Sequence, residues 1–411
     1  MRVMSVQLPG LPLKGSVDLP ASKSVSNRAL IIQALCSTPF EIANLSVADD
    51  TRLLKQCIDH PAAIEDAGAG GTTFRFLLAL RTLQQHQGVL SGSPRLMERP
   101  VRVLVDLLRS MGASIDYAGT DGFPPLKLRG GALSGGVHRV DASVSSQFVS
   151  ALMLIGPRLP GGLTIVPTGE MVSATYIAMT ASMMRYFGVP VLVTADQIVI
   201  PEMDYTSRDI SVSSDWSAAA FFFALAALCP HSELLLKGLH FDHWQGDESA
   251  AELMLDWGVS TVVQGDGLLL RSSGIPHREF VYDFLATPDL AQAFAVMAAV
   301  AGRKLTLTGL QTLRQKETDR LSALKESLEM AGAEVIIGSD YLQVVSGVSA
   351  EKISSVNFEA YHDHRMVMAL SLLACSGAVV RLKDPGQVSK SFPGFFKALA
   401  ATGAQIEELS F

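Results

Sequence analysis

The chain has only four cysteines in 411 residues, Cys36, Cys57, Cys229 and Cys375, and no two share a CxxC spacing. All four sit in apolar runs. This excludes a disulfide-stapled secreted scaffold and a cysteine-rich metal module, and predicts reduced core thiols in a cytoplasmic protein. Long hydrophobic runs are missing as well. The longest, Ala218 to Cys229, is too short to span a bilayer, so no membrane contact is expected. Met1 to Pro12 lacks a basic segment followed by an apolar one, which predicts no signal peptide. There is no excess of positive charge. A net charge of -7 argues against a nucleic-acid partner held by bulk charge. It also means that an anionic ligand must be held by a local basic cluster. Low-complexity tracts are absent, and Asp49-Asp50 reads as a helix cap rather than a pair of metal ligands.

Apolar residues are plentiful. At 48% hydrophobic and 18% charged residues over this length, the chain predicts a large core split between two domains. The stretch Leu19-Pro20-Ala21-Ser22-Lys23-Ser24-Val25-Ser26-Asn27-Arg28-Ala29-Leu30 organises the rest. A proline ends an extended segment, polar and cationic residues follow, and an apolar helix begins near Ser24. Free N–H groups at a helix start attract anions, and Lys23 and Arg28 add two full charges there.

The same construction returns at Gly71-Thr72-Thr73-Phe74-Arg75, Ser145-Ser146-Gln147, Asp215-Trp216-Ser217, Asp289-Leu290-Ala291-Gln292 and Asp363-His364-Arg365. After a short first interval, these clusters recur every 70 to 74 residues. A second element, a helix closed by glycine and followed by a strand, recurs at Gly112, Gly188, Gly258, Gly332 and Gly403. The chain therefore reads as six α/β repeats, the first one shortened. Other expected elements are a strand–turn–strand over Met1 to Leu19 with its turn at Leu13-Lys14-Gly15, and a strand over Phe40 to Leu45. Met97-Glu98-Arg99-Pro100 is expected to open a helix with Val101, Leu104, Val105, Leu108 and Met111 on its apolar face. The helix from Ser217 to Leu228 is apolar all round and should be fully buried. Leu321, Leu324, Leu328 and Ala331 form another core stripe, with Lys316, Glu317 and Arg320 expected on the opening turn of that helix.

Six equal repeats suggest two lobes of three. If the helix starts point inward, the lobes face across a cleft lined by Lys23, Arg28, Arg75, Arg99, Lys316, Arg320, Arg365 and Lys390. Such a cleft suits substrates carrying several negative charges. Asp289 and Glu317 belong to the same region and could move protons. Taken singly, each motif also fits a plain cap, a tight turn or a solvated salt bridge; their recurrence at one place in successive repeats favours a site.

These motifs, together with Glu98-Arg99-Pro100, Val144-Ser145-Ser146-Gln147-Phe148, Lys316-Glu317-Thr318-Asp319-Arg320, Asp363-His364-Arg365-Met366 and Lys390-Ser391-Phe392-Pro393, closely resemble the enolpyruvyl transferases, in particular the 5-enolpyruvylshikimate-3-phosphate synthases, over essentially the whole chain. The resemblance implies a two-lobed fold of six βαβαββ repeats, one lobe at 22–212 and the other at 1–21 with 213–411, and an active site in the cleft between them. It implies transfer of enolpyruvate from phosphoenolpyruvate to shikimate 3-phosphate by a cytoplasmic monomer, with no metal or other cofactor.

Residue by residue, Lys23, Ser24, Arg28, Ser145, Ser146, Gln147, Ser173, Tyr176, Asp289 and Lys316 resemble the shikimate 3-phosphate contacts. Lys23, Gly71, Arg99, Gln147, Lys316, Arg320, Arg365 and Lys390 resemble the phosphoenolpyruvate contacts. Asp289 matches the base, Glu317 the acid, and Lys23 completes the catalytic set. Ala69, Thr312 and Ser173-Ala174-Thr175-Tyr176 depart from the pattern of many relatives, none at the acid or base. Two other readings stand beside this one. The sister activity on a UDP-amino sugar relies on a loop cysteine, and no cysteine here lies in a loop pattern. A non-catalytic anion-binding repeat protein would not need both Asp289 and Glu317.

Overall fold

The computed structural model describes residues 2–8, 12–143 and 145–410; Val144 of the serine motif lies outside them. The chain forms two compact units, Ser22–Val212 and Met1–Ala21 with Ser213–Phe411.

In the first unit, Ile64–Asp66 runs parallel to Gln87–Ser91, which pairs antiparallel with Leu126–Arg129, and that strand with Ile115–Tyr117. Gly136–Asp141, Leu163–Thr168, Ile198–Ile200 and Leu192–Val193 repeat this order. The third sheet has two strands, Ile42–Ala43 parallel to Ile210–Ser211. The shortened first repeat thus lacks a hairpin and is completed by the end of the same unit. The strand expected over 40–45 shrinks accordingly to two residues.

The second unit holds three four-stranded sheets of the same order. One joins Lys14–Asp18, Glu233–Lys237, Gly267–Ser272 and Val259–Val263. Another joins Phe280–Asp283, Leu305–Thr308, Leu342–Val344 and Val335–Ile337. The last joins Asn357–Phe358, Val380–Lys383, Arg2–Gln7 and Gln405–Ser410. Lys14 and Gly15 are therefore strand residues rather than a turn. Glycine is required where the strand after a helix reverses: Gly258 sits at φ 77° after Met254–Trp257, a left-handed geometry that costs other residues energy.

Apolar helices fill the core of each unit. Trp216–Leu228 is buried on every face, as its all-round hydrophobicity predicts. Leu321, Leu324, Leu328 and Ala331 are all fully buried. Three helix boundaries differ from expectation. Pro94–Met97 and Arg102–Ser110 are separate helices, because Pro100 disfavours helical backbone at the residue before it. Asp49 and Asp50 lie inside the first turn of Asp49–Asp59, with Ala48 at the cap. Lys316 and Glu317 precede Arg320–Met330, whose cap is Asp319, its side chain accepting the Ser322 N–H. The cysteines are free, but Cys36 and Cys375 are only half-buried. Among the described residues no helix is long and apolar enough to cross a membrane.

Candidate active site

Each unit carries one charged cluster at the starts of its inner helices. In the Ser22–Val212 unit, Ser22 caps Lys23–Leu35 and the first turn of that helix presents Lys23 and Ser24. Lys23 Nζ donates to Asp50 Oδ2 at 2.9 Å, and both side chains are largely shielded from solvent. The Thr73 hydroxyl donates to the Asp50 backbone carbonyl at 2.8 Å, which ties the backbone of this residue to the next repeat.

Arg28, one turn on from Ser24, is 2% exposed. Its Nη1 donates to Ser24 O at 2.9 Å, Nε to Thr180 Oγ1 at 2.8 Å, and Nη2 to Tyr176 O at 3.2 Å and Ser150 Oγ at 3.3 Å. Among the described residues no carboxylate pairs with it, and burial pulls its guanidinium down to about 10. A buried cation surrounded by neutral acceptors is electrostatically incomplete, and an anion would complete it.

Arg75 donates through Nη1 to Gln147 Oε1 at 2.9 Å, beside the cap that the Ser145 hydroxyl makes with the Gln147 N–H. Ser146 is buried on the first turn of that helix. Gly71 opens Gly71–Leu83, and the space where its side chain would stand is bounded by the Arg75 and Arg99 guanidinium groups. Ser173, in left-handed backbone, starts the helix Ala174–Tyr186 that carries Tyr176. The repeats thus bring Ser24, Arg28 and Tyr176 together, and likewise Arg75 with Gln147 and Gly71 with Arg99.

The other unit gathers carboxylates around one arginine. Arg320 donates through Nε to Asp363 Oδ2 at 2.7 Å, through Nη1 to Asp289 Oδ1 at 2.8 Å and through Nη2 to Glu317 Oε2 at 2.9 Å. Asp289 also faces Lys316 Nζ at 3.8 Å and Arg365 Nη2 at 3.3 Å. Three carboxylates keep Arg320 firmly charged despite the opposing effect of its burial. Asp363, fully buried, caps its helix by accepting the Arg365 N–H at 2.9 Å while it holds Arg320. Lys390 stands apart from this network, donating to the His362 carbonyl at 2.6 Å. The arrangement places two carboxylates of different surroundings, Asp289 and Glu317, on two nitrogens of one planar guanidinium.

A family profile described as EPSP synthase (3-phosphoshikimate 1-carboxyvinyltransferase) matches residues 8–60 and 54–399. The chain belongs to the EPSP synthase family. A 3-phosphoshikimate 1-carboxyvinyltransferase of Bacteroides fragilis strain YCH46 is 38% identical over 396 residues, 96% of this chain and 97% of that protein. Among solved structures, an EPSP synthase from Acinetobacter baumannii superposes with a TM-score of 0.79 over the full length of both chains at 22% identity. The enolpyruvyl transferase NikO from Streptomyces tendae reaches 0.75 at 15% identity, covering 100% of this chain and 99% of that one. At such identities the two structures establish the fold alone. The two-unit α/β architecture is that of the EPSP synthases and their enolpyruvyl transferase neighbours.

The sequence alone does not show that Asp50 pairs with Lys23 or that Asp363 holds Arg320. Asp50 looked like a cap, and Asp363 was visible only as part of a motif. Arg75 was legible as a cation, but its bond to Gln147 spans 72 positions and no local pattern encodes it.

Proposed function

We propose that this chain transfers the enolpyruvyl group of phosphoenolpyruvate to the 5-hydroxyl of shikimate 3-phosphate and releases phosphate, a step of the shikimate pathway toward aromatic amino acids. The observation that carries the reading is family membership over nearly the whole chain, with both Asp289 and Glu317 present on Arg320. In this reading Glu317 protonates the methylene carbon of phosphoenolpyruvate, so that the neighbouring carbon becomes electron-poor. The 5-hydroxyl adds to that carbon, and Asp289 takes its proton. Glu317, ionised by the first step, then takes a proton back from the methyl group as phosphate leaves, which restores the double bond.

The shikimate 3-phosphate contacts are Lys23, Ser24, Arg28, Ser145, Ser146, Gln147, Ser173, Tyr176, Asp289 and Lys316; Arg28, a buried cation with no carboxylate on it among the described residues, supports this most directly. Phosphoenolpyruvate takes Lys23, Gly71, Arg99, Gln147, Lys316, Arg320, Arg365 and Lys390, since arginine forks match carboxylate and phosphate oxygens. One chain supplies every family motif, which supports a monomer. Small soluble substrates and four free thiols support a cytoplasmic setting.

The deciding experiment is release of inorganic phosphate by purified protein. It should require both substrates and survive a chelator. Equal turnover with a UDP-amino sugar as acceptor would overturn the assignment.

A second test addresses Gly71. A Cβ there would lie 2.5 Å from Arg75 Nη1 and 2.8 Å from both terminal nitrogens of Arg99. Gly71→Ala must therefore shift the guanidinium ends of two buried arginines. The KM for phosphoenolpyruvate should rise and that for shikimate 3-phosphate stay near the parental value. Equal increases in both would remove Gly71 from the phosphoenolpyruvate side.

A further inference from the structure

The fold brings two of the four thiols together. Cys229 Sγ donates to Cys375 Sγ across 4.0 Å, although 146 positions separate the two residues. Cys229 is the C-cap of Trp216–Leu228 and is fully buried. Cys375 lies in the 3-10 turn Leu372–Ser376 and is only half-buried, so a small solute meets it first. Cys36 and Cys57 belong to the other unit, where the Cys57 thiol donates to the Asp66 carbonyl at 3.9 Å.

The backbone is fixed on both sides of the pair. The hydroxyl of Ser272, in the strand Gly267–Ser272, donates to the Cys229 carbonyl at 2.8 Å. The turn of Cys375 is closed by Gly377 in left-handed backbone, whose N–H donates to Ala374 O at 3.1 Å. The sulfurs can therefore meet by side-chain rotation. A disulfide holds its sulfurs about 2.05 Å apart, so each has about 1 Å to travel.

We propose that Cys229 and Cys375 are an oxidation site, which a hydroperoxide converts into a reversible disulfide that staples the second unit. The Cys375 sulfur attacks one oxygen of hydrogen peroxide; the O–O bond breaks, water leaves and Cys375 becomes a sulfenic acid. The Cys229 sulfur then attacks the Cys375 sulfur. The S–S bond forms, the S–O bond breaks, and the hydroxyl leaves with the Cys229 proton as a second water. The two thiols together lose two electrons, which reduce the peroxide to water. The Cys229 thiol, and then burial, hold the Cys375 thiol well above its ordinary value, so this group rests protonated and reduced until an oxidant arrives.

The pair stands away from the helix starts that carry the charged clusters. Trp216–Leu228 has 13 residues, so Cys229 lies about 20 Å along the axis from its capped start. The bridge therefore acts on stability. It ties the end of a buried helix to the turn that follows His364–Ser371, and it closes a long loop in the unfolded chain.

The test exposes the folded full chain to hydrogen peroxide, removes the excess, blocks the remaining thiols and maps the peptides by mass spectrometry. The parent should keep two of its four thiols free. It should yield one linked peptide holding Cys229 and Cys375, lighter by two hydrogen atoms than its two parts together, and dithiothreitol should separate them. In Cys229→Ala the resolving thiol is gone, and Cys375 should be trapped as a sulfenic acid that dimedone labels. In Cys375→Ala the buried Cys229 should stay a free thiol. The oxidised parent should unfold at a higher urea concentration than the reduced parent, and peroxide should not raise the midpoint of Cys375→Ala. The linked peptide of the parent requires no variant, so it decides even where an alanine variant does not fold. A Cys375 sulfonic acid beside a free Cys229, a link through Cys36 or Cys57, a bridge that forms only in urea, or an oxidised parent no more resistant to urea overturns the proposal.

Discussion

Glu317→Gln should lower turnover by about 10²–10⁴-fold, the usual contribution of a positioned acid, equivalent to about 3–5 kcal/mol of barrier. Glutamine keeps the length and the acceptor that Arg320 Nη2 uses at 2.9 Å, but it has no proton to give. Asp289→Asn should lose a similar factor for the opposite reason: it cannot take the proton of the 5-hydroxyl. Binding of shikimate 3-phosphate should survive Glu317→Gln, since the proposed phosphate groups, Arg28 with Ser145 and Ser146, belong to the other unit. Arg28→Ala should show the reverse pattern and weaken binding of shikimate 3-phosphate, because it removes a charge partner shared by ground and transition states.

Solvent deuterium separates acid from bystander. The parent, with substrates bound, should wash deuterium into the methylene of phosphoenolpyruvate, and Glu317→Gln should not. Exchange at the parental rate in that variant would reassign the acid to Lys23 or Lys316.

The cluster residues were legible in the sequence because helix starts are encoded locally. A polar or charged residue before an apolar run marks a cap, and six such marks at regular intervals reveal a repeat. That logic located Lys23, Arg28, Ser145, Asp289 and Arg365. It misplaced Lys316 and Glu317, which looked helical by spacing to Arg320; the Asp319 cap starts the helix after them. Their contact with Arg320 and Asp289 survives because the guanidinium reaches back, not because the backbone is helical.

Partners distant in sequence were not legible. Ile42–Ala43 is completed by Ile210–Ser211, and Arg2–Gln7 joins strands near residue 380 and residue 405. Alternating patterns give a strand its faces but not its neighbours. The same limit hid the Lys23–Asp50 pair.

Arg320→Met should destabilise the protein by at least about 3–5 kcal/mol, the usual cost of removing one partner from a buried ion pair. Here one side chain, 1% exposed, answers Asp363, Asp289 and Glu317 together. Methionine has similar bulk, so the loss would report charge rather than a cavity. Asp363 is the decisive partner, because it is fully buried and spans both Nε and Nη2. Arg320→Lys should recover little, since a point charge on a flexible stem cannot serve three carboxylates held in a fixed fork. Adding Asp363→Asn to Arg320→Met should restore part of the stability, because it removes the most deeply buried unpaired charge and retains an acceptor for the Arg365 N–H. Urea unfolding of the four proteins measures each step. If Arg320→Met unfolds within about 1 kcal/mol of the parent, in the range of an exposed ion pair, the cluster is not a buried electrostatic unit. If the double variant is no more stable than Arg320→Met, the deficit comes from packing. With the predicted order, the guanidinium that fixes the proposed acid and base also holds the unit together. Substitutions at Arg320 would then reduce activity partly through the amount of folded protein.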